Sequence, residues 1–193
     1  MTLVLASTSP IRKQMLEQAG VAFEAVAADV DEASEKSSGG DPQAIAERLA
    51  IAKAQSVSRA RPGDWVIGSD SVVIVEERLF DKPTDRARAA EHLRLFSGKE
   101  MRLTSAVALA RDGQIEWSFG ECSVLKVRAL SDAFIESYLE AEWPEVAYCV
   151  GVFRLEGRGV QLFDSIDGSL FSILGMPLLP LLGALRERGI LQS

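Results

Sequence analysis

Asp70 stands in the run Gly68, Ser69, Asp70, Ser71, with apolar residues at 65–67 before it and 72–75 after it. A carboxylate between such flanks is costly to bury unless a cation or a metal stands beside it. The small residues around it leave room for a ligand. The acid therefore suits either a general base for water or a ligand for a divalent ion. The plainer alternative is an Asp that only satisfies a turn, a common use of Gly-x-Asp sequences.

A second cluster lies near the N-terminus, where an apolar stretch at 3–6 runs into Ser7, Thr8, Ser9 and Pro10, and Arg12 and Lys13 follow. Hydroxyls, the unpaired N–H groups of a helix start and two cations near one point make a junction suited to phosphate. An ordinary strand-to-helix turn needs only one Ser or Thr as its cap. Lys82 precedes Pro83, which limits where the chain and the ammonium go, and such a lysine also suits a phosphate. Lys53 has alanines on both sides in a helical pattern, so its stem borders the apolar stripe while its charge reaches past the edge of the sheet. Extension into solvent is the alternative for both lysines. Asp31 and Glu32 lead into a loop as solvated acids, and Glu32 could share a divalent cation with Asp70.

The elements that must position these residues follow from periodicity and punctuation. A strand at 3–6 and a helix carrying Arg12 open the chain. A mobile loop is expected at 35–41, with Ser37, Ser38, Gly39 and Gly40 together. Asp41 and Pro42 form an N-cap pair, and Ile45, Leu49, Ala52 and Ser56 continue as a helix to about Ala60. Residues 65–67 and 72–75 read as strands interrupted at 68–71, followed by a short strand near Leu79 and Phe80. A helix spans 84–96, capped by Thr84 and stopped at Gly98. Residues 103–110 and 117–127 make a hairpin around Asp112 and Gly113. Ser131 caps a further helix, 160–163 and 169–174 read as strands, and 177–188 as an apolar helix bounded by Gly189. Both hairpins and strand-helix-strand crossovers occur, so the fold class is α/β with a mixed, twisted sheet flanked by helices.

Composition narrows the chemistry. The 193 residues are 47% apolar, enough for one α/β domain over residues 1–193 without disulfides or a structural metal. Cys122 and Cys149 are too few, and too embedded in apolar segments, for a disulfide framework or a zinc site, which fits a reducing cytoplasm. No basic leader or long apolar segment is present, so a soluble protein without a membrane partner is expected. A net charge of −7 gives no long-range field for a nucleic-acid polymer, and an anionic ligand must be met locally. The single histidine, His92, reads as a surface residue and leaves zinc-hydrolase and serine-triad chemistry short of parts. Residues 97–100 lack the upstream glycine and the hydroxyl of a P-loop, and Gly157 with Gly159 lacks the third glycine of a dinucleotide fingerprint.

Taken in order, Leu5-Ala6-Ser7-Thr8-Ser9-Pro10 with Arg12, the Lys53 helix, Gly68-Ser69-Asp70-Ser71-Val72-Val73, Lys82-Pro83, Ser97-Gly98 and Gly175-Met176-Pro177-Leu178 closely resemble the Maf family of nucleoside triphosphate pyrophosphatases. The resemblance covers nearly the whole chain. It implies a Maf/ITPase-like α/β fold with a cleft between two lobes. It also implies a cytoplasmic enzyme, often a homodimer, that uses Mg²⁺ or Mn²⁺ to split a nucleoside triphosphate into a monophosphate and pyrophosphate. By position, Asp70 would be the base that activates water. Ser7, Ser9, Arg12, Lys53 and Lys82 would hold the phosphates, and Glu32 with Asp70 would hold the metal.

Departures from the commonest family pattern bear on the base. Many members have two arginines after the proline of the first motif, and here the first is Ile11. Ser71 stands where many have Thr, and Arg154-Leu155-Glu156-Gly157 where many have Gly-Ile-Gln-Gly. Ile11 and Glu156 resemble the branch acting on 7-methyl-GTP more than the branch acting on dTTP and UTP. A carboxylate can accept from the paired N–H groups of a guanine edge, which pyrimidines lack. Open alternatives are a dTTP/UTP pyrophosphatase, a non-catalytic nucleotide-binding regulator of cell division, and a phosphatase removing only the terminal phosphate.

Overall fold

The structure, a computed structural model, describes residues 1–37 and 40–192. In chain order it contains β1 (Leu3–Ala6), α1 (Pro10–Gln18), β2 (Glu24–Val26), α2 (Glu32–Ser37), α3 (Pro42–Ala60) and β3 (Trp65–Val75). Then come β4 (Arg78–Phe80), α4 (Arg86–Phe96), β5 (Glu100–Arg111), β6 (Gln114–Val127) and α5 (Asp132–Glu142). Two 3₁₀ turns, Glu145–Tyr148 and Arg158–Leu162, precede β7 (Phe163–Asp167), α6 (Leu170–Ile173) and α7 (Leu178–Glu187). The strand order is β2-β1-β3-β5-β6-β7, with β4 on β3. β1 runs parallel to β2 and β3, whereas β4 and β7 are antiparallel to β3 and β6. The sheet is mixed, as expected.

Two compact units are distinguished along the chain. The first comprises Met1–Ser71, Thr104–Glu121 and Ser169–Ser193, and the second comprises Val72–Leu103 and Cys122–Gly168. In the first, Leu3, Leu5, Trp65 and Ile67 of the strands pack with Met15 and Leu16 of α1 and Leu181 and Leu185 of α7. Val4, Ala6 and Val66, on the opposite face of the same strands, pack with Val57 of α3. Helices thus cover both faces. α3 is set by its ends and its stripe: Asp41 accepts from the Gln43 N–H at 3.1 Å, Pro42 starts the first turn, and Ile45, Leu49, Ala50, Ala54 and Val57 are buried. Such a cap is worth about 1 kcal/mol. In the second unit His92 of α4 lies edge-on to Phe80, 5.2 Å between ring centroids.

Several sequence expectations need correction. β3 is continuous through 68–71, because strand pairing tolerates small residues where a helix lies close, so Asp70 projects from a strand and not from a break. Residues 35–37 form the end of α2 and not a loop, while Ser38 and Gly39 lie outside the described residues. Asp85 caps α4 in place of Thr84, accepting from the Arg88 N–H at 2.8 Å, with the Thr84 hydroxyl donating to Asp85. Residues 158–162 are a 3₁₀ turn and the strand follows them; within 169–174 lies the short helix α6 and no strand, its Ile173 N–H returning to the Ser169 carbonyl at 3.0 Å. There, local β preference yields to the turn that the surrounding chain imposes. β2 has no counterpart in the sequence reading. His92 is buried and Cys122 is exposed, each the reverse of its expected setting. The hairpin is longer than expected, with its turn at Asp112 and Gly113, both at positive φ.

Candidate active site

Side chains along a strand alternate between faces, so the run 68–71 supplies two surfaces at once. Gly68 and Asp70 share the face of Val66, which packs with α3; Ser69 and Ser71 share the face of Ile67, which packs with α1 and α7.

On the α3 face, the Lys53 ammonium lies 2.5 Å from Asp70 Oδ1 and 2.7 Å from Glu32 Oε1. The side chains of Lys53 and Asp70 are only 13% and 10% exposed, so this pair is shielded from water and each charge depends on the other. The Lys53 ammonium therefore turns onto β3 and not into solvent. Gly68 makes this possible: a Cβ there would fall 2.5 Å from the Ala54 nitrogen and closer still to the Ala50 carbonyl oxygen. Only a bare backbone lets α3 approach this near, at the residue one turn before Lys53 and at the residue that follows it. Glu32 enters from the first turn of α2, with Lys36 3.8 Å away.

On the other face, one carbonyl organises the contacts. The Gly175 oxygen accepts from Arg12 Nε at 2.9 Å, Ser69 Oγ at 3.1 Å and Ser71 Oγ at 3.3 Å. Gly175 has φ +114, a conformation that favours glycine, and this turns its carbonyl toward the three donors. Arg12 Nη2 also donates to Ser71 Oγ at 3.3 Å. Ser71 and Ser105 hydroxyls lie 2.7 Å apart, Ser105 donates to the Ser172 carbonyl at 2.6 Å, and the Ser172 hydroxyl donates to Glu121. Burial lowers the Arg12 pKa, against the opposing pull of Asp70 and then Glu32. The guanidinium thus senses both carboxylates without an ion pair to either among the described residues.

At the α1 junction, Ser7 Oγ accepts from the Ser9 N–H at 3.1 Å, while the Ser9 hydroxyl makes no cap bond and its carbonyl accepts from the Lys13 N–H at 3.2 Å. Ile11, next to Pro10 at the helix start, is half-buried. β1 lies parallel beside β3 with Leu5 opposite Ile67, so Ser7 and Asp70 both follow that register toward the same strand ends.

Lys82 and Glu156 belong to the second unit and are exposed. Both act on the Cys149 thiol, whose pKa burial pushes up to about 11, Glu156 adding to the rise and Lys82 opposing it. Arg154 is held 3.4 Å from the buried Glu142. The structure thus brings together Glu32, Lys53 and Asp70 on one face of β3 and Arg12 and Ser71 on the other. Ser69, Ser105, Gly68 and Gly175 take part without having been singled out. Gly68, Ser69 and Gly175 stand in the motifs quoted from the sequence, whereas Ser105 is next to Thr104 at the centre of β5 and carries no such signal.

A metal would have two carboxylates converging on one point, since both contact the same ammonium. Among the described residues no three His, Cys, Asp or Glu gather as a metal site. Two carboxylates fit Mg²⁺ or Mn²⁺ that completes its shell with water and phosphate oxygens. They do not fit a structural zinc centre.

The family model described as Maf-like protein matches residues 2–188. A 7-methyl-GTP pyrophosphatase of Rhizobium etli is 45% identical over 99% of this chain and 98% of its own length. A nucleoside triphosphate pyrophosphatase of Nitrobacter hamburgensis is 47% identical over 98% of this chain and 95% of its own. Among solved structures, a nucleoside-triphosphatase / dITP/XTP pyrophosphatase of Mycobacterium abscessus aligns with a TM-score of 0.42 at 20% identity, over 66% of this chain and 73% of the other. No helix among the described residues is long and apolar enough to cross a membrane. With matches of this extent, the chain belongs to the Maf-like protein family.

Proposed function

We propose that this protein hydrolyses a nucleoside triphosphate between its α and β phosphates, releasing a nucleoside monophosphate and pyrophosphate. The observation that carries the reading is Asp70, shielded on a strand, tied through one oxygen to Lys53 and placed in the field of Arg12. Among the described residues its second oxygen, Oδ2, makes no hydrogen bond, which leaves it to orient a water and take its proton. Lys53, Arg12 and Lys82 are the cations that offset charge on the phosphate oxygens as pyrophosphate departs, and Ser7 and Ser9 offer hydroxyls. A divalent ion held by Glu32 and Asp70 would supply further charge neutralisation.

The name of the Rhizobium etli relative supports 7-methyl-GTP as the first substrate to test. Glu156, an exposed carboxylate, suits the N–H edge of guanine, and Ile11 and Ser71 are the other positions where base preference would be set. The family resemblance supports a homodimer in the cytoplasm, and light scattering tests the assembly.

The deciding experiment is a panel of canonical and methylated triphosphates with Mg²⁺ or Mn²⁺, read by pyrophosphate release. Pyrophosphate from 7-methyl-GTP is the expected result, and faster release from dTTP or UTP would reassign the base. Orthophosphate as the sole product would overturn the reaction. Tight binding across the panel without turnover would favour a non-catalytic nucleotide-binding regulator.

A further inference from the structure

We propose that Lys53 is an internal stand-in for the divalent ion, closing the Glu32–Asp70 site until a triphosphate draws the ammonium away. This rests on the reading of Glu32 and Asp70 as the pair that holds the metal. The two carboxylates are drawn to a single point by one ammonium, at 2.7 Å and 2.5 Å. Those are contact distances, so a cation seated between the same two oxygens would meet the ammonium.

Charge leads to the same conclusion. Arg12 is acted on by both Asp70 and Glu32, and Lys36 lies 3.8 Å from Glu32. The two carboxylates thus already have at least as many cations as they have charge. An ion carrying two positive charges gains little from a site without net negative charge. A triphosphate reverses this balance, because its several negative charges give Lys53 and Arg12 a better partner and leave the two carboxylates with less compensating charge. Lys53 is free to make that exchange: it sits on the helix face with a long flexible stem, while Asp70 is fixed in the strand. Metal and nucleotide should therefore bind with strong positive coupling, and the protein alone should bind the ion weakly.

The test is a Mn²⁺ titration read by the electron paramagnetic resonance of the free aquo ion, with no turnover involved. Wild type, Lys53→Met and Lys53→Met/Glu32→Gln are compared without nucleotide. Lys53→Met should bind Mn²⁺ about tenfold more tightly than wild type, a size usual for coupling free energies, and Glu32→Gln should abolish the gain. Lys53→Gln, which keeps a hydrogen-bond donor and removes the charge, should show the same gain and serves if the Met variant does not fold. In wild type, an α,β-methylene triphosphate should tighten Mn²⁺ beyond the affinity of the free nucleotide for the ion. Equal Mn²⁺ affinity in wild type and both Lys53 variants would overturn the proposal. The two readings fail separately: pyrophosphate release with equal affinities removes only the stand-in role. Tighter Mn²⁺ binding in the variants, with no triphosphate turned over, keeps that role and removes the reaction.

Discussion

The two faces of β3 use opposite means to hold a cation. On the α3 side, Lys53 is fixed by full charges, 2.5 Å and 2.7 Å from two carboxylates. On the α1 side, Arg12 is fixed by neutral acceptors, the Gly175 carbonyl and the Ser71 hydroxyl. An ammonium paired with carboxylates has its charge consumed until a competitor arrives. A guanidinium held by dipoles keeps its charge available while its direction is set. One strand of alternating side chains thus offers a cation that must be released and a cation that is already aimed.

Breaking the acid side gives the largest expected effect. Asp70→Asn should lower the rate of pyrophosphate release by about 10²–10⁴-fold while circular dichroism still shows the folded protein. Unchanged turnover would take the base role away from this face. Gly68→Ala should come next: a methyl against the α3 backbone costs about 1–3 kcal/mol in urea unfolding, and turnover falls because Lys53 is carried away from Asp70. Stability loss without loss of turnover would show that the acid side does not need the helix so close.

The serine side should respond more mildly. Arg12→Lys loses the fork that spans Gly175 and Ser71, and kcat/KM should fall about tenfold. Unchanged kcat/KM would take Arg12 out of the contacts with the phosphates. Ser105→Ala removes the buried hydroxyl that links Ser71 to the Ser172 carbonyl, and about 1 kcal/mol of stability should go.

The smallest effect separates the site from its surroundings. His92 in the second unit has its pKa lowered by burial first and then by Arg88 and Arg78, against the opposing pull of Glu91 and Asp81. The unfolded chain takes up a proton near the ordinary value of 6.5 and the folded one does so only at lower pH. Stability is therefore full above about 6.5 and declines as pH falls toward the lower folded value. His92→Phe should flatten that decline in melts at pH 7.5 and 5.5. Equal slopes in both proteins would exclude His92 as its source.

Much of the fold was legible because its signals are local. The Asp41-Pro42 cap, the apolar stripe of α3, the Asp112-Gly113 turn and the Ser131 cap each act within a few residues of the element they start or end. β2 and α6 were not legible: the first is only three residues and mostly exposed, and the second has residues of strand character held in a helical turn. His92 was misplaced because its pattern beside Glu91 and Arg94 looks amphipathic, and burial against Phe80 comes from another element.

By itself the sequence determined that Asp70 sits among small residues in an apolar run, that hydroxyls and Arg12 crowd one junction, and that the whole belongs with a known family pattern. Only the tertiary structure decided that Lys53 is the cation Asp70 meets, that Glu32 joins them, and that Gly175 aims Arg12 from 163 positions away. The reason is physical. A residue's type sets which partners it can satisfy, whereas the partner it meets depends on how closely α3 seats on β3, and that distance is set by the missing side chain of Gly68.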